Sequence, residues 1–569
     1  MNSNTLIIGE YLSSLKEDKE LDYLFPLLLN LMGFRIVQTA KEAKGQSQYG
    51  KDIIAIGKDK HGKTYRWYFE LKGYKDKDIT DKNYSAKDGI RESIIEAKDT
   101  AFNDSSIPEF NHLPIKIVLV HNGIIKPNIR PTFEGFISKE FKNEEFERWD
   151  IYYLTELFSK YLFNEYLFID DESNRLFKKT IAFLDAPDNN FDDFKKLVQL
   201  QFDKLKEIKE RSLTKLFSTL GLLMSMVFHY SKENDFIVPA KETSKYLIIY
   251  TWKWILNNKL ENKKAIIKEF DKLLKIQLDI FNTYFKKTFP VAKIENGLFA
   301  ENGAFYEKVG YPLRCFQYLD DIIFYCRLRQ HFSNPNGLLK LKTKQKDFII
   351  QMIDNNSGFT RPILDNHSIP IIQLFLFFVD DGVRRQKDVD FIYRYVLEIV
   401  QNLKIEKLKN NRLPELYNNL DLVIEYFATG EKPEEYTDSS SILIAILLEL
   451  SVVFNSKDLF EEILSFIDDD LSLQIPNIDF NTFNIEELLF DKNLNNKYYV
   501  KTIDKLKDSL IPLTKEKDFD KFIQTVKEKK IRPYEFRTDK KGYNFIRYLA
   551  HSYFKNEILP NEWRKLIKK

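Results

Sequence analysis

Residues 51–75 read KDIIAIGKDKHGKTYRWYFELKGYK, and this stretch has the pattern of a β-hairpin. An apolar strand over residues 52–56 is followed by a polar turn and then by a long aromatic strand over residues 65–74. Because successive side chains of a strand point to opposite faces, Glu70 and Lys72, which are two residues apart, share one face of this hairpin.

The hairpin also brings a second acid toward Glu70. A turn centred near residues 60–61 places Asp52 opposite Phe69 or Glu70, near enough for two carboxylates to bind one cation. Two acids and a lysine on one face of an apolar hairpin cost free energy unless the protein uses them. The stretch therefore predicts a metal-dependent nuclease centre made of Asp52, Glu70 and Lys72.

These residue types suit the hydrolysis of a phosphodiester bond. The reaction needs a polarised phosphate, a deprotonated water and a stabilised leaving oxygen, and divalent cations held by carboxylates provide much of this. Mg²⁺ accepts one or two protein carboxylates and keeps its waters, and the backbone carbonyl of Leu71 is a candidate further ligand. Lys72 could orient the attacking hydroxide and favour its charge. The alternative interpretation is a plain salt bridge between Glu70 and Lys72 on an exposed strand.

The turn of the hairpin matches the phosphate-binding loop pattern G-x-x-x-x-G-K-[ST] at residues 57–64. That loop works only where it follows a strand and opens a helix, whose N-terminal amides hold the phosphate. Here Thr64 is followed by YRWYFEL, which is aromatic and typical of a strand. Glycines and charged residues are what a hairpin turn needs, so the pattern does not predict nucleotide binding here.

Composition limits the class of protein. A chain of 569 residues exceeds one ordinary core, so about two to four domains are expected. With 87 basic against 85 acidic residues, overall charge indicates nothing about nucleic acid, and any basic footprint must be local. Cys315 and Cys326 are the only cysteines, which excludes a disulfide framework and a cysteine-based zinc site and predicts buried small apolar side chains. The seven histidines are scattered without metal-ligand spacing.

The chain is expected to be cytoplasmic and to stay out of the membrane. Its first twenty residues lack the basic region, apolar core and small-residue cleavage site of a secretion signal. The longest apolar run, near residues 216–228, is too short and too interrupted to span a bilayer.

Strands alternate with helices over residues 1–170, which predicts a mixed sheet covered on both faces. Besides the hairpin, the expected elements are a helix over 16–33, strands over 34–39, 115–120 and 149–154, helices over 85–102 and 133–141, and a helix capped by Thr155 that runs through Phe163. We therefore expect an α/β domain at residues 1–170.

From residue 171 to 569 the pattern becomes helical, with no fixed repeat period. This predicts a large all-α region that serves regulation, oligomerisation or recognition of a substrate or partner. Turn-forming stretches near residues 333–340 and 429–441 are candidate subdivisions of it.

The end of this region is basic. Residues 527–569 contain 13 lysines and arginines against 5 acids, interleaved with aromatic residues, and such a pattern can grip a nucleic-acid backbone and stack bases. The candidate contacts are Lys540, Lys541, Arg547, Arg564 and Lys565. The alternative is an ordinary helical pair with a solvated face and an aromatic core.

Taken in order, the segments between about residue 18 and residue 163 resemble the PD-(D/E)XK, or restriction-endonuclease-like, superfamily, particularly its Mrr-type branch. LFPLLLNLMGFRIVQT (24–39) resembles the opening helix, the glycine-aromatic turn and the first strand of that branch. GQSQYGKDIIAIG (45–57) is similar to its loop and catalytic aspartate, and YFELKGY (68–74) to its acid-x-lysine strand. WDIYYLTELFSKYL (149–162) resembles its terminal strand and helix. The resemblance covers about 30% of the chain, and it implies a restriction-endonuclease-like fold.

The resemblance also implies roles for residues. Asp52 and Glu70 would bind Mg²⁺ or Mn²⁺, and Lys72 would be the catalytic lysine. Many such enzymes carry a further acid on the first helix, for which Glu20 and Asp22 are the candidates here. Gln48 and Lys51, close to Asp52, are candidate contacts to phosphate or water, with a solvated loop role as the alternative.

By this resemblance the chain is expected to be an endonuclease that hydrolyses DNA, and a regulated effector of bacterial anti-phage defence or restriction. Such a nuclease must spare host DNA, so control by a partner such as an ATPase or another defence subunit, and homo-oligomerisation, are expected. One alternative is a catalytically inactive nuclease-like module that binds DNA or acts as a scaffold in a larger complex. Another alternative keeps the chemistry and changes the substrate to RNA.

Overall fold

The structure is a computed structural model, and it describes residues 3–39, 49–73, 76–142, 145–162, 170–186, 189–299, 306–379, 385–468, 471–473, 486–491, 518–528, 534–556 and 562–567. The chain divides into two compact units. Unit 1 comprises Met1–Ser244 and Lys268–Ile276, and unit 2 comprises Lys245–Ile267 and Gln277–Lys569. The sequence predicts a domain boundary at residue 170, and this boundary stays a prediction.

A mixed sheet lies at the centre of unit 1. Its five strands in the described residues are β1 Arg35–Gln38, β2 Ile53–Lys58, β3 Thr64–Lys72, β4 Ile115–His121 and β5 Phe146–Trp149. They are arranged in chain order, with β1, β2 and β3 antiparallel and β3, β4 and β5 parallel. The expected mixed α/β architecture is therefore confirmed.

Helices cover both faces of this sheet. The α-helices that lie wholly in unit 1, among the described residues, are α1 Ser3–Ser14, α2 Asp22–Leu31, α3 Asp81–Tyr84, α4 Ile90–Asp99, α5 Arg130–Glu140, α6 Ile151–Leu157, α7 Asp171–Ala182, α8 Asp192–Asp203 and α9 Glu210–Glu233. On one face, Ile54 and Tyr68 pack with Ile94 of α4 and Phe133 of α5. On the other face, Phe25 of α2 packs against the rings of Phe69 and Trp149. The aromatic residues of β3 thus serve both layers, because they alternate between the faces.

The end of this sheet corrects one expectation. The predicted strand over residues 149–154 is wrong, since β5 ends at Trp149 and α6 begins at Ile151. Asp150 is the N-cap of α6, and its side chain accepts hydrogen bonds from the backbone N–H groups of Tyr152 and Tyr153. Thr155 does not cap a helix, because it lies inside α6 and its hydroxyl donates to the carbonyl of Ile151.

The rest of the described chain is helical, as expected for residues after 171. The remaining helices are α10 Val238–Asn257, α11 Lys264–Ala292, α12 Tyr311–His331, α13 Pro335–Asp354, α14 Ser368–Val379, α15 Gln386–Asn410, α16 Leu420–Thr429, α17 Ile442–Phe454, α18 Lys457–Leu464, α19 Phe519–Glu528, α20 Arg537–Lys540 and α21 Asn544–Phe554. Two short parallel strands, β6 Ser440–Ser441 and β7 Ser472–Leu473, also occur. Cys315 and Cys326 of α12 are buried free thiols, as predicted.

The core of unit 2 contains two strongly apolar helices, α14 and α17. Every described residue from Ser368 to Phe378 in α14 is buried, and so is α17 from Ile442 to Val452. Within the described ranges, no helix has both the length and the apolar character that crossing a membrane requires. The apolar stretches of unit 2 are therefore core helices of a packed domain.

Candidate active site at the hairpin

The register of the hairpin puts the predicted acids side by side. Ile53 of β2 pairs with Phe69 of β3, and the backbone N–H of Asp52 donates to the carbonyl of Phe69 at 2.9 Å. Continued by one residue, this register sets Asp52 opposite Glu70, and directly opposed side chains point to the same face. Lys72 follows two residues later on that face. The structure thus brings Asp52, Glu70 and Lys72 together at one end of the hairpin.

Glu70 is held by two charge-assisted contacts. Its side chain is 4% exposed, and its Oε1 accepts a hydrogen bond of 2.6 Å from the hydroxyl of Ser93 in α4. The same Oε1 lies 2.6 Å from Nζ of Lys72. Hydrogen bonds to a charged group are short and strong, so α4 and β3 together fix the orientation of this carboxylate.

Asp52 is half-buried next to this second carboxylate. Its Oδ2 accepts a hydrogen bond of 2.6 Å from the backbone N–H of Leu71. Burial and the negative charge of Glu70 raise the pKa of Asp52 to about 8, because both disfavour the ionised form. Near neutral pH the Asp52 carboxyl is therefore mostly protonated when no cation is bound, because a second negative charge beside Glu70 is unfavourable.

The ammonium group of Lys72 stays protonated in this setting. Burial acts to lower its pKa, but the carboxylates of Glu70 and Glu17 overcome this effect, and the net result is a raised pKa. Lys72 is thus a donor of hydrogen bonds and positive charge and not a base.

Glu17 is a residue of the site that the sequence did not single out. It begins a π-helical turn, Glu17–Leu21, that precedes α2. Its Oε1 lies 3.8 Å from Nζ of Lys72, and its Oε2 accepts a hydrogen bond of 3.3 Å from the backbone N–H of Gly73. The acid that the helical segment contributes beside Lys72 is therefore Glu17.

The two acids that the sequence proposed for this role lie elsewhere on the segment. Glu20 forms an ion pair with Lys215 of α9 and accepts the backbone N–H of Lys16 at 2.8 Å. Asp22 is the first residue of α2. A π-helical turn places one more residue in each turn than an α-helix does, so side chains predicted from one continuous α-helix over 16–33 are assigned to the wrong face.

Lys51 is buried beside the hairpin and does not lie in a solvated loop. Its Nζ donates to the carbonyl of Tyr49 at 2.9 Å and lies 5.3 Å from the ring centre of Tyr68. Burial lowers the pKa of Lys51 to about 8, because an ammonium is less stable away from water. Gln48, the other candidate, lies outside the described residues.

The basic residues near the end of the chain fall into two groups. Arg547 and Arg564 are occupied inside unit 2: Arg547 pairs with Asp539 and Glu562, each at 2.6 Å, and Arg564 donates to Glu449 at 2.7 Å. Their burial argues against phosphate contacts by these two. Lys540, Lys541 and Lys565 are exposed, and Lys540 pairs with Glu535 at 2.6 Å.

The residues at the hairpin fit a hard divalent cation with few protein ligands. Among the described residues, no group of three or more histidine, cysteine, aspartate or glutamate side chains is arranged to hold a metal. Asp52 and Glu70 nevertheless each keep one oxygen, Oδ1 and Oε2, that accepts no hydrogen bond from the described part of the chain. Two carboxylates and several waters suit Mg²⁺ or Mn²⁺. The N–H of Leu71 is used by Asp52, and its carbonyl stays a predicted ligand.

Tetrahedral zinc sites are built mainly from cysteine and histidine ligands, and the one histidine of residues 51–75, His61, lies in the turn, at the other end of the hairpin from Asp52, Glu70 and Lys72. The arrangement is instead a pair of acids, one of them with a raised pKa, facing a protonated lysine. Comparisons of the chain with protein-family models, with curated proteins and with solved structures find no match.

Proposed function

We propose that the chain is a metal-dependent endonuclease of the PD-(D/E)XK kind that hydrolyses DNA phosphodiester bonds. The observation that carries the proposal is the convergence of Asp52, Glu70 and Lys72 at one end of the hairpin, with Glu17 and Ser93 fixing them. Burying the Asp52 carboxyl beside that of Glu70, which raises the pKa of Asp52, costs free energy on folding. Such costs are concentrated at sites that perform chemistry.

Each residue has a role in the proposed reaction. Bound Mg²⁺ or Mn²⁺ supplies a Lewis acid for the phosphate and lowers the pKa of a ligated water. Asp52 and Glu70 would hold the cation through their carboxylate oxygens, and Ser93 keeps the Glu70 carboxylate in place. Lys72 donates hydrogen bonds to the attacking oxygen and to the negative charge that develops on the phosphate.

The proposal extends to the biological setting. A nuclease with a large helical region is suited to control by that region, and we propose a regulated effector of anti-phage defence or restriction that works with an ATPase or another subunit. The support is the size of the all-α region and the need of any such enzyme to spare host DNA. Homo-oligomerisation belongs to the same proposal.

A cleavage assay with the full chain tests the proposal. Supercoiled plasmid, linear DNA and RNA are each incubated with the protein in Mg²⁺ or in EDTA. We expect nicking and linearisation of DNA in Mg²⁺ only. Asp52→Ala and Lys72→Ala should each lower the rate by about 10²- to 10⁴-fold, whereas Lys58→Ala, at the exposed end of β2, should cut as the unmodified chain does.

The assay also decides between the proposal and its rivals. Cleavage of RNA but not of DNA would show that the substrate is RNA and would leave the proposed chemistry unchanged. A second candidate, a nuclease-like module that binds DNA without cutting it, is favoured by the ion pair between Glu70 and Lys72, which a purely structural site would also contain. DNA binding without cleavage in Mg²⁺ would establish that candidate, whereas full cleavage by both alanine variants would show that the hairpin residues do not make the cut.

A further inference from the structure

A cavity of about 250 Å³ lies within unit 2, between the helices α12, α13, α14 and the start of α21. Its lining residues are Arg327, Gln330, His331, Lys342, Leu376, Phe377, Gly542, Asn544 and Phe545. Arginine, lysine and histidine are present in this set, and aspartate and glutamate are absent from it. The charge of the cavity wall is therefore positive.

The side chain of Arg327 lies at this cavity with donor nitrogens that are not used. Its Nε and Nη2 are buried and have no hydrogen-bond acceptor within the described part of the chain. The guanidinium lies 4.6 Å from the ring centre of Tyr548 and 5.6 Å from that of Phe377. An arginine is always protonated in proteins, and its planar fork is built to hold carboxylate or phosphate oxygens. Burying two guanidinium nitrogens without an acceptor is costly, and aromatic rings offset only part of this cost.

The start of α21 adds backbone donors at the same cavity. Tyr543, its N-cap, provides no side-chain cap, and the N–H groups at the start of a helix have no intrahelical acceptor. Asn544 and Phe545, the first two residues of α21, both line the cavity. The N-terminus of a helix attracts anions through these N–H groups and through its dipole. Arg327 and the first turn of α21 thus both favour an anion in the cavity.

The other walls indicate what accompanies the anion. His331 packs its ring 5.2 Å from the ring of Phe545, and Phe377 closes another side. Gln330 donates to the side chain of Gln345 at 2.8 Å, which holds its amide in one orientation. Aromatic walls beside a few fixed polar groups are typical of small-molecule pockets, and about 250 Å³ is slightly below their usual range of about 300–1,000 Å³.

We propose that this cavity binds the phosphate group of a small molecule, either inorganic phosphate or a mononucleotide. A tetrahedral anion with three or four oxygens can take hydrogen bonds from Arg327 and from the helix amides at once. The aromatic walls suit a planar base, and the volume excludes a large ligand. This site is separate from the hairpin acids, and its existence does not depend on nuclease activity.

Thermal unfolding and calorimetric titration of the full chain test the proposal. Inorganic phosphate and AMP are the probes, a short single-stranded oligonucleotide is the third arm, and sodium chloride at equal ionic strength is the reference. EDTA is present throughout, so that no metal at the hairpin contributes. We expect phosphate or AMP to raise the midpoint of unfolding above the chloride reference. Tighter binding of AMP would assign a nucleotide, and equal binding would assign free phosphate.

Matched variants locate the site. Arg327→Met should weaken binding of the probe by about ten- to a hundredfold, since a hydrogen bond to a charged group is lost. Without ligand, the same variant should be as stable as the unmodified chain or more stable, because it removes a buried charge without an acceptor. Lys342→Ala should weaken binding, and Lys344→Ala, an exposed neighbour on α13, should not.

Three results would overturn the proposal. The first is stabilisation by phosphate and AMP that is no greater than stabilisation by chloride. The second is undiminished binding by Arg327→Met. The third is binding of the oligonucleotide alone, which would assign the cavity to a nucleic-acid backbone.

Discussion

The carboxyl group of Asp52 makes stability depend on pH. Its pKa in the folded protein is about 8, against about 3.9 in an unfolded chain. The folded state therefore holds this proton more tightly, and the stability linked to Asp52 falls as the pH rises from about 4 to about 8. In EDTA at pH 8, Asp52→Asn should be more stable than the unmodified chain by about 1–3 kcal/mol, since each pKa unit corresponds to about 1.4 kcal/mol.

Urea unfolding at pH 5 and pH 8 measures this difference. The gain from Asp52→Asn should shrink toward pH 4, where the carboxyl group is protonated in both states. Added Mg²⁺ should stabilise the unmodified chain at pH 8 and leave the asparagine variant unchanged. If the stabilities of the two proteins depended equally on pH, folding would not raise the pKa of Asp52.

Glu17 and Glu20 lie on the same turn and should respond differently to substitution. Glu17 contacts Lys72 and the N–H of Gly73, so Glu17→Gln should lower DNA cleavage by about 10- to 100-fold, as for residues that orient a metal site. Glu20 pairs with Lys215 instead, so Glu20→Gln should keep full cleavage and cost about 1 kcal/mol of stability or less. Initial cleavage rates and thermal unfolding of both variants decide this, and the reverse pattern of rates would make Glu20 the residue of the site.

At the scale of the hairpin, two positions require glycine for different physical reasons. A Cβ on Gly57 of β2 would approach the ring of Phe34 to between 2.2 and 2.7 Å. Gly62 in the turn has φ +84° and no atom within 4 Å of such a Cβ, so only its backbone conformation requires glycine. Gly57→Ala should cost about 1–3 kcal/mol through overpacking, and Gly62→Ala about 1 kcal/mol through its left-handed backbone.

Thermal unfolding of the two alanine variants measures both costs, and a larger loss at Gly62 would contradict this assignment. The same glycines complete the phosphate-binding loop pattern in the sequence. In the structure, residues 57–64 connect β2 directly to β3 and open no helix. The close packing at Gly57 and the left-handed backbone at Gly62 account for both glycines of the pattern without a nucleotide.

The strength of a local pattern decides how much of each element the sequence predicts. The hairpin was predictable because two apolar or aromatic runs flank a single polar turn, whose centre sets the register to within one residue. The strand over 149–154 was wrong because aromatic β-prone residues outweighed Asp150, whose side chain caps a helix. Glu17 was missed because a π-helical turn has no clear sequence signature and shifts every later side chain around the axis.

Composition alone could not separate buried from exposed cations. Arg547 and Arg564 belong to the same basic, aromatic segment as Lys540, yet both are paired with acids: Arg547 with Asp539 and Glu562 of the same segment, and Arg564 with Glu449. Glu449, the partner of Arg564, lies on α17, more than a hundred residues earlier in the chain. Such long-range pairing is not visible in a local pattern.

At the scale of the whole molecule, unit 1 extends well past residue 170. α1 packs against α6 and α9, and Ile8, Tyr11 and Leu12 of α1 are at most 1% exposed. Lys272, in the later segment of unit 1, pairs with Glu10 of α1 at 2.9 Å. The sheet domain therefore shares its apolar interior with helices that the sequence placed in the helical region.

A fragment of residues 1–170 should fold poorly for this reason. It lacks α9, whose Leu213, Leu216, Phe217 and Leu220 are buried, and each such side chain contributes about 1.5–3 kcal/mol on burial. That loss is comparable to the whole stability of a domain, about 5–15 kcal/mol. A fragment of residues 1–276, which contains all of unit 1, should unfold cooperatively, whereas 1–170 should show a broad transition and bind a hydrophobic dye. Circular dichroism melting of both fragments checks this, and a cooperative transition of 1–170 at the same temperature as 1–276 would instead establish residue 170 as a true domain boundary.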